Sequence, residues 1–170
     1  MGSGRGVAWS LACGWLLAAC QEATPGPVAH DAAGVRHCIE RVRGQPLLVN
    51  FWATWCGPCL AELPDLVEGT RQFRARGGVV LTVAMEQLGI TSDAATAVAR
   101  VAAKAAELAL PLPVVVCTDD EMPTIRAALG VELGGLPQTL VYDRSGRLVL
   151  QHEGLADGAQ FAAFAAAAER

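Results

Sequence analysis

The chain reads as an α/β protein, a central mixed sheet flanked by helices in three layers, with a helical insertion before the third strand. Three observations predict it. Short, continuously apolar, β-rich runs recur at 47–53 (LLVNFWA), 79–84 (VVLTVA) and 113–118 (PVVVCT), and strands hydrophobic on both faces belong inside a parallel sheet. Helix-period segments separate these runs, so each connection is long enough for a crossover. A turn-rich tetrad, Arg144-Ser145-Gly146-Arg147, lies between two further β-rich runs and predicts an antiparallel hairpin.

The elements follow in order. Residues 35–43 carry Val35, Cys38, Ile39 and Val42 at helical spacing, and Gly44 closes the segment. After the first strand, Leu47–Ala53, a helix runs from Cys56 or Gly57 to Arg76. Pro64 is expected to kink it and Gly77-Gly78 to end it. The second strand, Val79–Ala84, leads to an alanine-rich helix over Ser92–Leu110, capped by Ser92 or Asp93. Pro113–Thr118 is the third strand and Glu121–Leu129 a short helix stopped by Gly130. The hairpin strands are Leu140–Asp143 and Leu148–His152, and a last helix runs from near Asp157 to the C-terminus. No internal repeat is visible.

Composition narrows the function. The chain has 170 residues, 52% hydrophobic and 18% charged, with a net charge of −4. That is one domain with a real core, and the apolar content excludes a disordered chain. An acidic balance with a single lysine, Lys104, argues against a nucleic-acid partner. Residues 1–19 hold one cation, Arg5, and an apolar run from Val7 to Ala19. The run is too short to span a bilayer, which takes ~20 apolar residues, but has the size of a secretory signal core. It ends in Leu17-Ala18-Ala19-Cys20, which resembles the lipobox of bacterial lipoproteins. That resemblance implies cleavage before Cys20 and a diacylglycerol thioether on it, with residues 20–33 as a lipidated tether and 34–170 as the folded domain. Gln21, where aspartate would signal inner-membrane retention, tilts the expectation towards the outer membrane of a Gram-negative cell.

Four cysteines remain after that cleavage and lipidation, in a compartment that permits disulfides. Cys56 and Cys59, in Trp55-Cys56-Gly57-Pro58-Cys59, sit at a strand-to-helix junction. There the helix N-terminus stabilises a thiolate on the first cysteine, and the second lies one turn later, in reach of a mixed disulfide. Pro58 suits the first turn, where its missing N–H is not needed. Half of a zinc site would need another Cys/His pair at ligand spacing, and none is present; no metal is expected. Asp119-Asp120-Glu121 reads as an acidic cap on the following helix. His30, His37 and His152 have no mutual spacing that suggests ligands or a relay.

The stretch VNFWATWCGPC, Val49–Cys59, resembles the thioredoxin superfamily, and more narrowly its TlpA/ResA-like extracytoplasmic thiol–disulfide oxidoreductases. The likeness covers nearly all of 34–170. Gly135-Leu136-Pro137-Gln138-Thr139 matches the family's cis-proline loop, and Ser92–Leu110 its helical insertion. Glu62, three residues after Cys59, matches the acid near the dithiol in ResA-like members. The resemblance implies a thioredoxin-like fold and reduction of disulfides in cysteine-containing envelope proteins, apocytochrome c among the candidates. It also implies re-reduction by a membrane thiol donor and no cofactor beyond the redox-active Cys56–Cys59 disulfide. The candidate catalytic residues are Cys56, Cys59 and Glu62; Trp55, Gly57, Pro58, Leu136 and Pro137 are the candidate substrate contacts. Where thioredoxin has a buried aspartate this chain has Asn50, an amide that accepts no proton, which leaves Glu62 as the carboxylate for Cys59. Some readings stay open. Glu62 is that acid or an ordinary exposed first-turn glutamate, Trp52 is core or site rim, and Thr54 has no assigned role. Cys38 and Cys117 are a second disulfide or two small buried apolar side chains. Rival functions are a peroxide-reducing thiol enzyme and a non-catalytic binding module or metallochaperone on the same fold.

Overall fold

The computed structural model describes residues 26–90 and 92–170. The signal segment 1–19 and Cys20 lie outside the described residues. The elements are β1 (Val28–His30), α1 (Ala32–Arg41), β2 (Leu47–Trp52), α2 (Gly57–Gly69), α3 (Arg71–Ala75), β3 (Val79–Ala84) and α4 (Ala94–Glu107). They continue with β4 (Val114–Cys117), α5 (Met122–Leu129), β5 (Gln138–Tyr142), β6 (Leu148–Glu153) and α6 (Gly158–Ala168). The sheet order is β1-β4-β3-β2-β5-β6. The first four strands are parallel, while β5 runs antiparallel to β2 and β6 antiparallel to β5.

Every residue of β2 is buried because helices cover both of its faces. The two-residue period of the strand sends Leu48 and Trp52 into one apolar cluster, with Leu63 and Leu66 of α2, Val101 of α4 and Phe161 of α6. Leu47, Val49 and Phe51 point the other way, against Val35 of α1 and Ile125 of α5. Asn50 shares the side of Leu48 and Trp52, so the only polar residue of the strand faces α2 and α6. Gly69 of α2 lets the latter two helices touch: a Cβ there would fall 2.4 Å from the Gly158 carbonyl oxygen and 2.8 Å from Phe161 Cβ.

Four local expectations change. Val28–His30, inside the stretch read as tether, is an edge strand paired with β4 in the register Val28↔Val115 to His30↔Cys117. Three residues after Pro-Gly-Pro carry no periodicity, and the pairing comes from β4. α1 begins at Ala32, not Val35, because Asp31 caps it, accepting from Gly34 N–H. Its first N–H, from Ala32, is taken by Asp119 at 2.8 Å, so that acid caps α1 and not the helix that follows it in sequence. The long helix after Cys56 continues through Pro64 but does not reach Arg76 unbroken: it breaks at Thr70, where the Thr70 hydroxyl donates back to the Leu66 carbonyl at 2.6 Å. The α5 stop matches expectation, with Gly130 left-handed at φ 68°. Among the described residues, no helix is long and apolar enough to cross a membrane.

Candidate active site

β2 ends at Trp52, and a turn closed by the Cys56 N–H to the Ala53 carbonyl delivers Cys56 to the start of α2. Cys56 is the N-cap; its sulfur accepts the Cys59 N–H at 3.3 Å. The two sulfurs are joined, with Cα atoms 5.3 Å apart. Cys59 is fully buried and Cys56 is 6% exposed, next to exposed Gly57 and Pro58 and to Trp55, 45% exposed. An incoming sulfur therefore meets Cys56 first. Trp52 is entirely core.

Glu62 lies one turn beyond Cys59 on the same face of α2. It is 2% exposed, which rules out the reading as a solvent-facing first-turn acid. Asn50 Nδ2 donates to Glu62 Oε1 at 2.8 Å and the Ala156 N–H to Oε2 at 3.0 Å. Burial pushes the Glu62 carboxyl above its ordinary range, and these two hydrogen bonds pull against that rise without cancelling it. Asn50 Nδ2 also donates to the Thr139 hydroxyl at 3.2 Å, while Asn50 Oδ1 is buried without a partner.

The Leu136–Pro137 peptide bond is cis. Pro137 is buried, its carbonyl accepts the Gly154 N–H at 2.9 Å, and β5 starts at once with Gln138 opposite Phe51. The loop thus reaches the end of β2 from which the dithiol turn departs, and half-buried Leu136 packs on the cluster that contains Cys56 and Cys59. Gln138 braces it from inside: its side chain accepts from Gly134 N–H at 3.0 Å and donates to the Glu132 carbonyl at 3.3 Å.

The fold brings Trp55, Cys56, Gly57, Pro58, Cys59, Glu62, Leu136 and Pro137 to this one end of the sheet. Cys38 and Cys117 are not among them and are not joined; both are free thiols. They pack in the cluster on the opposite face, Cys38 half-buried on α1 and Cys117 buried at the end of β4, where burial pushes its thiol up to about 11. The second-disulfide reading is therefore corrected to two small apolar side chains. Sequence reasoning also missed Glu86, Thr139 and Ala156. Glu86 leaves a signal in hindsight, an acid two residues beyond a buried strand; the Ala156 contribution is a backbone N–H and leaves none. Among the described residues, no group of three or more His, Cys, Asp or Glu side chains is placed to hold a metal ion.

The AhpC/TSA family model matches residues 22–151. The thiol-disulfide oxidoreductase ResA of Geobacillus thermodenitrificans (strain NG80-2) is 30% identical over 125 residues, 73% of this chain and 63% of that protein. The chain thus spans less than two thirds of the length of that relative. A thiol:disulfide interchange protein of the thioredoxin family from Chlorobium tepidum TLS superposes with a TM-score of 0.59 at 24% identity, covering 76% of this chain and 83% of its own. A secreted Mycobacterium tuberculosis disulfide oxidoreductase homologous to E. coli DsbE gives a TM-score of 0.57 at 18% identity over 75% and 85%. With a mixed six-stranded sheet between helices and a family match over most of its length, the chain has a thioredoxin-like fold and belongs to the AhpC/TSA family.

Proposed function

We propose that the protein is an extracytoplasmic thiol–disulfide oxidoreductase that reduces disulfides in protein substrates. The observation that carries this reading is the Cys56–Cys59 disulfide at the start of α2 with a buried, hydrogen-bonded Glu62 behind it. In the reduced enzyme the Cys56 thiolate attacks a substrate disulfide. A Cys56–substrate bond forms, the substrate S–S bond breaks, and the first substrate thiolate leaves and takes a proton. Glu62 accepts the Cys59 proton; Cys59 then attacks the Cys56 sulfur, closing the Cys56–Cys59 bond and releasing the second substrate thiolate. Two electrons pass to the substrate, and a membrane thiol donor restores the dithiol. Trp55, Gly57 and Pro58 form the apolar rim, and the Leu136 backbone before cis-Pro137 pairs with the extended substrate. Cys20 carries the lipid that holds the domain at the membrane, and apocytochrome c is one substrate of the right chemistry. The ResA and secreted oxidoreductase relatives support the activity and the compartment.

The test is substrate capture. Cys59→Ser stops the reaction at the mixed disulfide, so envelope proteins should accumulate covalently on Cys56 and be released by dithiothreitol. Capture that survives Cys56→Ser would overturn the assignment. Insulin reduction by the wild type separates the rivals: a binding module or metallochaperone leaves insulin intact, and a peroxide-reducing enzyme consumes hydrogen peroxide in its place.

A further inference from the structure

Glu86 follows β3 by two residues and is 1% exposed, yet the exchange chemistry above makes no use of it. Three donors converge on its carboxylate. The Thr54 N–H donates to Oε2 at 3.0 Å, the Thr54 hydroxyl to Oε1 at 2.7 Å, and Arg100 Nε–H of α4 to Oε1 at 2.9 Å. The Trp55 indole N–H donates to the Glu86 backbone carbonyl at 3.4 Å, and Arg100 Nη2 continues to the Ser92 hydroxyl at 3.1 Å. Thr54 and Trp55 are the two residues that lead into Cys56, so at most ~7 Å of chain separates Thr54 from the attacking cysteine. A buried carboxylate is costly unless its partners are complete, and here they come from the dithiol turn and from the insertion helix.

We propose that the Glu86–Arg100 pair is a charge-balanced clamp on the dithiol turn: Glu86 positions Thr54 and Trp55, and Arg100 cancels the field that the buried carboxylate would exert on Cys56. This rests on Cys56–Cys59 being a working redox pair. Intact, the pair is neutral and the Cys56 thiolate experiences little net charge from it. Removing one partner leaves one uncompensated charge on the order of 10–15 Å from the sulfur. A positive remainder stabilises the thiolate and hence the dithiol, raising the reduction potential; a negative remainder does the reverse. The two single neutralisations therefore act with opposite sign. Mere loosening of the turn would push both the same way.

The experiment measures the exchange equilibrium of the full chain with glutathione, in which the Cys56–Cys59 disulfide and two glutathione thiols give the dithiol and glutathione disulfide. Peptide mapping reads the Cys56–Cys59 pair apart from the other cysteines. Glu86→Gln should shift the equilibrium about two- to tenfold towards the dithiol, and Arg100→Gln by a similar factor towards the disulfide. The double variant should return to within about twofold of wild type. Thr54→Val, which loosens the turn without altering charge, should change Trp55 fluorescence while moving the equilibrium less than either single. Arg100 is part-exposed, so Arg100→Gln stands as a test even if Glu86→Gln does not fold. Equal signs, no shift in Arg100→Gln, or a double variant worse than either single would each overturn the clamp. Glutathione needs no protein substrate, so opposite shifts without insulin reduction would uphold the clamp and sink the proposed function. The converse result would do the opposite.

Discussion

Replacing Glu62 with glutamine removes one ionisable proton and keeps the shape of the side chain. Two donors now meet the carboxylate, from Asn50 and from Ala156. The glutamine can keep the Ala156 N–H on its oxygen and turn its amide towards Asn50, whose Oδ1 is buried without a partner and, on flipping, accepts it. The flip leaves the Asn50 amide N–H groups where Oδ1 now has no partner, a cost of about 1–3 kcal/mol that the fold should survive. Chemistry should not, because Cys59 is fully buried and Glu62 is the carboxyl one turn away on its face. Losing a positioned base costs typically 10²–10⁴-fold, and the low end, about 100-fold in turnover of insulin reduction, is expected if water substitutes in part. Stability should move the other way. The Glu62 carboxyl is raised by burial, so the native state holds the proton over a pH range in which the unfolded chain has released it. Wild-type stability is then greatest below the ordinary carboxylate value near 4.5 and falls as pH rises through the raised native one. Glu62→Gln lacks that loss: its thermal midpoint relative to wild type should be lowest at low pH and rise towards neutral pH. The reasoning is refuted if the variant turns over at the wild-type rate, or if its relative stability falls between pH 4 and pH 7.

Three further outcomes follow from particular contacts. Gly69→Ala sets a methyl group against the Gly158 carbonyl and Phe161, so urea unfolding should register a loss of about 1–3 kcal/mol, the usual cost of overpacking. Cys117, with its thiol near 11 and its side chain buried, should resist iodoacetamide at pH 8 in the native protein and react after denaturation, while half-buried Cys38 labels earlier; peptide mapping reads both. Cys20→Ala should move the protein from the membrane to the soluble envelope fraction, and retention in the membrane would remove the lipid-anchor proposal.

The inner strands β2, β3 and β4 were legible because they are buried on both faces, and unbroken runs such as Val79–Ala84 cannot be satisfied at a surface. The dithiol was legible because its chemistry requires two cysteines at a fixed spacing, and the loop at Pro137 because it resembles the cis-proline loop of the thioredoxin superfamily. β1 was not, since a three-residue edge strand owes its existence to β4 and not to its own pattern. Asp119 was credited to the wrong helix because its partner, the Ala32 N–H, is 87 residues away in sequence and adjacent only after folding. The break at Thr70 shows the same limit from another side: proline is a strong local signal, but the exposed Pro64 leaves α2 uninterrupted, and the helix ends where Gly69 meets α6. Glu86 escaped notice for a related reason, as its charge looks surplus until Thr54 and Arg100 surround it.

The Ala156 N–H that holds Glu62 belongs to the residue just before Asp157, which with Gln160 forms the capping box that starts α6. An alanine scan cannot remove that backbone donor and can only loosen it, through the Asp157–Gln160 capping box. Proline at 156 removes the donor outright, and a frayed α6 start lets it wander. The start of α6 therefore helps set the proton affinity of an acid on α2 nearly a hundred residues earlier, and a tag, fusion or truncation that disturbs it should alter the chemistry of that acid without touching a cysteine.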